Sequence, residues 1–145
     1  MDTYNIGTMF RLADALSVEK IYLCAGTLTP PNTRIKRASI NTWQWANWEY
    51  KKTTMSAIKD LKKNVPNIKI VSIEQADNSI PYDSYDYETP IALVVGNETR
   101  GVNPKVLKKS DAIVEIPMHG INTSLNVSLA LSIVSYKAME NIKKS

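Results

Sequence analysis

Histidine and cysteine occur only once each in the 145 residues, and each scarcity removes a class of function. His119 alone cannot build a multi-histidine metal site or the metal cluster of a zinc deaminase, and beside a loop glycine it reads as neutral in role. Cys24 lies in the apolar run IYLC, so one chain holds neither a disulfide framework nor a cysteine metal cluster, and a buried structural thiol is its reading. The loops G-x-G-x-x-G and G-x-x-x-x-G-K-[ST] are also missing, which excludes the usual phosphate cradles for NAD and ATP. Long apolar runs are absent. The run IALVV at 91–95 is strand-sized, and Met1 is not followed by the basic-then-apolar pattern of a secretory signal. A cytoplasmic protein without a membrane partner is expected.

A hydrophobic content of 43% in 145 residues suffices for one ordinary core, so a single domain over 1–145 is expected. The 18 basic against 14 acidic side chains leave a net charge of +4, which permits an anionic partner without demanding one. Basic residues gather at several places, among them Arg34, Lys36 and Arg37, which read as part of a polar loop. A solvated surface is the plain alternative for any one group.

Ile6, Met9, Phe10, Ala13 and Leu16 step by three and four, which predicts an amphipathic helix with Asn5 where its N-cap would stand. Residues 20–25 read as a buried strand running into the loop GTLTPPN. Residues 34–50, with Trp43, Trp45 and Trp48, suit a partly buried extended segment or an interface. Met55, Ile58 and Leu61 predict a second helix, and 68–73 alternates as a strand. The polar stretch 74–90 reads as a loop, with Asp83, Asp86 and Glu88 solvated, and 91–95 as a central strand ending at Gly96. A short helix over 104–110, a strand over 112–116 and a helix over about 124–142 complete the chain. This alternation predicts an α/β fold with a largely parallel sheet.

Open parallel sheets place ligands beyond the carboxyl ends of their strands. Here IALVVGNETRGV sets a glycine, an amide, a carboxylate and an arginine after a strand, and IPMHG leaves another strand for a glycine loop. Gly96 and Gly101 allow tight turns and close backbone approach. In SLNVS, Ser124 reads as a helix N-cap, while Asn126 offers an acceptor and two donors in a first turn able to read a ligand.

Three blocks, NIGTMFRLADALSVEKIYLCAG, LVVGNETRGVNPKVLKKSDAIVEIPMHG and NTSLNVSLALSIVSYKAM, resemble in order and separation the successive motifs of the SpoU/TrmH family of SPOUT methyltransferases. They cover well over half the chain. The first pattern, Asn-x-Gly-x-x-x-Arg-x-Ala, is weak alone; G-N-E-x-x-G and S-L-N-V-S together are strong.

The resemblance implies a deep C-terminal trefoil knot over about residues 93–135, with S-adenosylmethionine bent within it. It implies cofactor contacts at Val95, Gly96, Ile116, Met118, Ser124, Leu125 and Asn126, mainly through backbone groups. It also implies a polar active-site set of Asn5, Arg11, Glu98, Ser124 and Asn126 for methyl transfer to a ribose 2′-hydroxyl of tRNA or rRNA. A guanidinium hardly ever loses its proton, so Arg11 suits phosphate binding and alkoxide stabilisation better than general-base work. Arg34, Lys36 and Arg37 are the candidate RNA contacts. The apolar helix near the C-terminus is expected to pair two copies in a homodimer, with Arg11 acting across or beside it. Family members carry a strand before the first motif, where this sequence has four residues ahead of Asn5, so an upstream apolar strand is expected. Two alternatives stand: a catalytically silent RNA-binding dimer of the same fold, and a base-directed RNA methyltransferase.

Overall fold

The structure is a computed structural model and describes residues 1–144. The chain divides into two compact units, Met1–Asp60 and Leu61–Ser145.

The first unit opens with helix α1, Thr3–Ala15. Its N-cap is Asp2, whose carboxylate accepts from the Tyr4 amide at 2.7 Å. Asn5 is therefore not the cap. It is buried inside the first turn, because an earlier acceptor had already met the free amides and the helix begins there. Ile6 and Phe10 on α1 pack with Leu23 and Ile35, and Trp43 and Trp48 lie partly buried against that cluster. Gly7 explains why the two helices of this unit come so close. A methyl group there would overlap the Ala38 side chain and come within 2.9 Å of the Ser39 nitrogen.

Strand β1, Ile21–Cys24, pairs in parallel with β2, Trp48–Lys51, in the register Ile21 to Trp48. Between them lies helix α2, Thr33–Ser39, capped by Asn32, whose side chain accepts from the Arg34 and Ile35 amides. Arg34, Lys36 and Arg37 thus stand on a helix and not in a loop. Asn32 supplies the start signal, but its position just after two prolines reads as part of the turn. Only Ile35 and Ser39 of α2 are buried, so apolar periodicity is nearly absent there. The tryptophan segment is a 3₁₀ turn, Thr42–Gln44, followed by β2, with Trp45 exposed and its indole N–H donating to Asp14.

Helix α3, Thr54–Asn64, buries Ala57 and Ile58. In the second unit, β3 (Lys69–Ile73), β4 (Ile80–Pro81), β5 (Ile91–Val94) and β6 (Ala112–Glu115) form a sheet in the order β4-β6-β3-β5. Every pairing between these strands is parallel. β5 stands last in that order, paired with β3, so the strand expected to be central is not central in its own sheet. Residues 74–90 are more ordered than a plain loop. Tyr87 is fully buried there, its hydroxyl donates to the Tyr82 carbonyl at 2.6 Å, and Asp83, Asp86 and Glu88 remain exposed.

Helix α4 is Pro104–Lys109, with proline in its first turn. Helix α5 is Val127–Lys144. Its Val134 and Ala138 join Val71, Val114 and Tyr87 in the core of this unit. Burying Val134 completely is worth roughly 1.5–3 kcal/mol. Leu129, Ile133 and Tyr136, spaced by four and three, form a second apolar face of α5 that is exposed. Among the described residues, no helix is long and apolar enough to cross a membrane.

Candidate active site

The carboxyl ends of β3, β5 and β6 open onto one cavity of about 370 Å³ in the second unit. That volume lies within the roughly 300–1,000 Å³ of small-molecule sites. Three loops wall it: residues 95–101 after β5, 115–118 after β6, and 124–127 at the start of α5. From the sequence-predicted set, Val95, Gly96 and Glu98 line it from the first loop, Ile116 and Met118 from the second, and Ser124, Leu125 and Asn126 from the third. Asn5 and Arg11 belong to the first unit, where Asn5 is buried and Arg11 is exposed on α1. Arg34, Lys36 and Arg37 are all exposed on α2.

The loop after β5 is shaped by two glycines and an asparagine. Asn97 turns the chain with its own side chain, which accepts from the Thr99 and Arg100 amides, both at 2.8 Å, and its carbonyl accepts from the Gly101 amide at 2.9 Å. Gly101 adopts φ +68°, in the left-handed region that favours glycine. Gly96 is required for a different reason. A side chain there would overlap the backbone of Gly101 and Val102, because the returning arm of the loop passes directly over it. The second motif therefore encodes a backbone crossing that brings main-chain groups to the cavity wall.

At the third loop the cap is Asn126 and not Ser124. The Asn126 Oδ1 accepts from the Ser128 amide at 2.9 Å, from the Leu129 amide at 3.3 Å and from the Ser128 hydroxyl at 2.6 Å. Asparagine and serine are equally good caps, so sequence alone could not rank these two candidates. With the oxygen committed to the helix, the orientation of the Asn126 side chain is fixed, and its amide nitrogen is directed by that anchorage. Ser124 is exposed on the approach to the helix.

Ile73, Glu74, Gln75, Glu115, Val127 and Ala130 also line the cavity and were not expected from the sequence. Glu74 and Gln75 follow directly on β3, and both face the cavity. The Glu74 Oε2 accepts from the Val102 amide at 2.8 Å, its Oε1 accepts from the Gln75 amide at 2.9 Å, and the Gln75 side chain donates to the Thr123 carbonyl at 2.6 Å. The strand-end rule that pointed to 96–101 and 116–120 applies equally to β3 and would have found them. Asp83, Asp86 and Glu88, and the single His119, lie exposed outside this lining.

Cys24, at the end of β1, is half-buried and its thiol is pushed up by burial, partly offset by a hydrogen bond with Thr54 and the charge of Lys51. On the same sheet Glu49 bonds Lys20 at 2.7 Å and Lys51 at 3.2 Å, which holds its carboxyl below the ordinary range.

Comparison with known proteins identifies the family and the fold. The tRNA (guanosine(18)-2′-O)-methyltransferase of Aquifex aeolicus is 31% identical over 137 residues, covering 93% of this chain and 63% of that enzyme. The 23S rRNA (guanosine(2553)-2′-O)-methyltransferase of Bacillus subtilis is 30% identical over 138 residues, covering 93% of this chain and 53% of that one. The chain thus spans somewhat more than half the length of these curated relatives. An AdoMet-bound rRNA methyltransferase from Sinorhizobium meliloti superposes with a TM-score of 0.87 at 27% identity, over 96% of this chain and 52% of that one. The α/β architecture with parallel sheets is that of these enzymes. The model of the SpoU rRNA Methylase family matches residues 1–136, which include the loops that wall the cavity, and the chain belongs to that family.

Proposed function

We propose that the protein transfers a methyl group from S-adenosylmethionine to a ribose 2′-hydroxyl of tRNA or rRNA. The observation that carries this reading is the cavity at the carboxyl ends of three parallel strands, lined by the residues of the second and third motifs. Its lining mixes apolar side chains such as Ile73, Ile116 and Leu125 with polar ones such as Glu98 and Asn126 and with close-passing backbone at Gly96. Such a lining fits a nucleoside bearing a short charged chain, and it needs no phosphate cradle. When bound, S-adenosylmethionine supplies an electrophilic methyl group on a sulfonium.

The chain's own residues then have two tasks. The loops at 95–98, 116–118 and 124–126 orient the cofactor, with Ile116 and Leu125 excluding water and Asn126 held rigid by its capping bonds. The Arg11 guanidinium binds the RNA phosphate next to the target ribose and stabilises negative charge on the 2′-oxygen as its proton leaves to phosphate or water. Asn5 and Glu98 complete the polar set. The segment at about 93–135 forms the family's knot, and 1–145 acts as one methyltransferase domain in the cytoplasm.

The working unit in this proposal is a homodimer paired through α5. Leu129, Ile133 and Tyr136 support it, since three exposed apolar side chains at helical spacing form a face that a second copy can cover. Titration of the protein with S-adenosylmethionine, and separately with ATP and NAD, tests the cofactor assignment. Binding of S-adenosylmethionine alone is expected; binding of ATP without S-adenosylmethionine would refute it.

A further inference from the structure

The Glu74–Gln75 pair does more than line the cavity. The two residues are adjacent in sequence, yet their side chains reach different loops: Glu74 takes the Val102 amide, beyond the crossing at Gly96 and Gly101, and Gln75 takes the Thr123 carbonyl, just before the third motif. Their base is fixed, because the Glu74 amide donates to the Val114 carbonyl of β6 at 3.0 Å. Val102 is buried, so its N–H needs a protein acceptor, and a carboxylate is the stronger kind. Gly101 fits this arrangement, since a side chain at that position would overlap the Glu74 carboxylate. Val102 follows the lining residue Gly101 and Thr123 precedes the lining residue Ser124, and one dipeptide at the end of β3 is bonded to both segments.

We infer that Glu74 and Gln75 form a clasp that sets the spacing of the two loops that receive S-adenosylmethionine, Glu74 acting as a positioning residue for cofactor binding. This rests on the reading of the cavity as the cofactor site. The clasp works through the loops it holds. Removing the carboxylate leaves the Val102 amide without its acceptor and frees the crossing loop to shift over Gly96.

The test is calorimetric titration of S-adenosylmethionine into the wild type and into Glu74→Ala, Glu74→Gln, Gln75→Ala and Gln75→Glu, together with amide hydrogen exchange at Val102 in cofactor-free protein. Glu74→Ala is expected to weaken cofactor affinity about ten- to a hundred-fold, the worth of one hydrogen bond to a charged group, and to speed exchange at Val102. Glu74→Gln should recover part of the affinity, because its amide oxygen can still accept from Val102 while its NH2 group cannot accept from the Gln75 amide as Oε1 does. Gln75→Ala should lose a few-fold, and Gln75→Glu more, because its carboxylate faces the Thr123 carbonyl oxygen. The Gln75 variants carry the test if Glu74→Ala does not fold, since Gln75 is exposed. Wild-type affinity and Val102 protection in Glu74→Ala, or in both Gln75 variants, would overturn the clasp alone. Glu74→Gln as impaired as Glu74→Ala would also overturn it, because the charge and not the loop bond would then matter. A wild type that binds no S-adenosylmethionine would overturn the functional reading and the clasp with it.

Discussion

Replacing Gly96 with alanine adds one methyl group at the point where the loop after β5 crosses itself. The new Cβ would lie under 3.0 Å from the Gly101 carbonyl carbon, the Gly101 oxygen and the Val102 nitrogen. Carbon contacts are optimal at roughly 3.5–4.0 Å, so all three pairs are repulsive and no rotamer exists to relieve them. The neighbours are backbone atoms. Relief therefore means moving residues 101–102 away from 96, which also stretches the 2.8 Å bond between the Val102 amide and Glu74. Overpacking of this kind costs roughly 1–3 kcal/mol, and loss of the charged-acceptor bond roughly 1.5–3 kcal/mol more if the loop moves fully. A drop of about 2.5–6 kcal/mol in stability is expected when both effects act in full. Gly120→Ala is the control: no atom lies within 4 Å of its added Cβ, so a change within about 0.5 kcal/mol is expected. Denaturant unfolding of both variants, with S-adenosylmethionine titration of each, decides the matter. Gly96→Ala with wild-type stability and wild-type cofactor affinity would refute the crossing as the reason for this glycine.

Five further outcomes are expected. Arg11→Ala should keep cofactor binding and lower the methyl-transfer rate by about 10²–10³-fold, the worth of one transition-state charge partner, in single-turnover assays. Ile133→Glu should convert the proposed homodimer to monomers in sedimentation, because Ile133 lies on the exposed face of α5. Val134→Glu and Ala138→Glu should instead unfold the chain, since both residues belong to its own core. Replacing Arg34, Lys36 and Arg37 together with alanine should weaken RNA affinity and reduce its salt dependence by about three phosphate contacts, leaving cofactor titrations unchanged. Glu49, whose carboxyl is lowered first by Lys20 and then by Lys51, contributes stability above its unfolded-state pKa that is lost as pH falls through its folded-state value. Glu49→Gln should therefore flatten the acid limb of a stability-against-pH curve and shift it little at low pH, where the wild-type carboxyl is protonated.

Much of the fold was legible because its strands are short apolar runs punctuated by Gly, Pro and Asn, as at Ile91–Val94 and Ala112–Glu115. The cavity was legible for a related reason: a ligand crevice beyond parallel strand ends follows from topology, and the motif glycines mark where backbone must pass closely. Helix α2 was hidden because a seven-residue helix burying only Ile35 and Ser39 has no measurable period. The helix start at Asp2 and the cap at Asn126 were misplaced for a shared reason, since several adjacent residues could each cap and only three-dimensional hydrogen bonds choose among them. The strand-end rule could have placed Glu74 at the cavity, but its role stayed hidden because its partner, the amide of Val102, is 28 residues away and carries no side-chain signature. Which side of α5 faces the chain's own core was not legible, because its apolar residues lie on most sides and only the packing of Val134 and Ala138 selects one.

The central claim is that this chain places a methyl group on ribose. Incubating the protein with methyl-labelled S-adenosylmethionine and tRNA or rRNA, then digesting the RNA to nucleosides for mass spectrometry, measures it directly. The expected product is a 2′-O-methylated nucleoside carrying the label on its sugar, formed about 10²–10³-fold more slowly by Arg11→Ala. Label on a base, or cofactor binding with no transfer to any RNA supplied, would contradict the account.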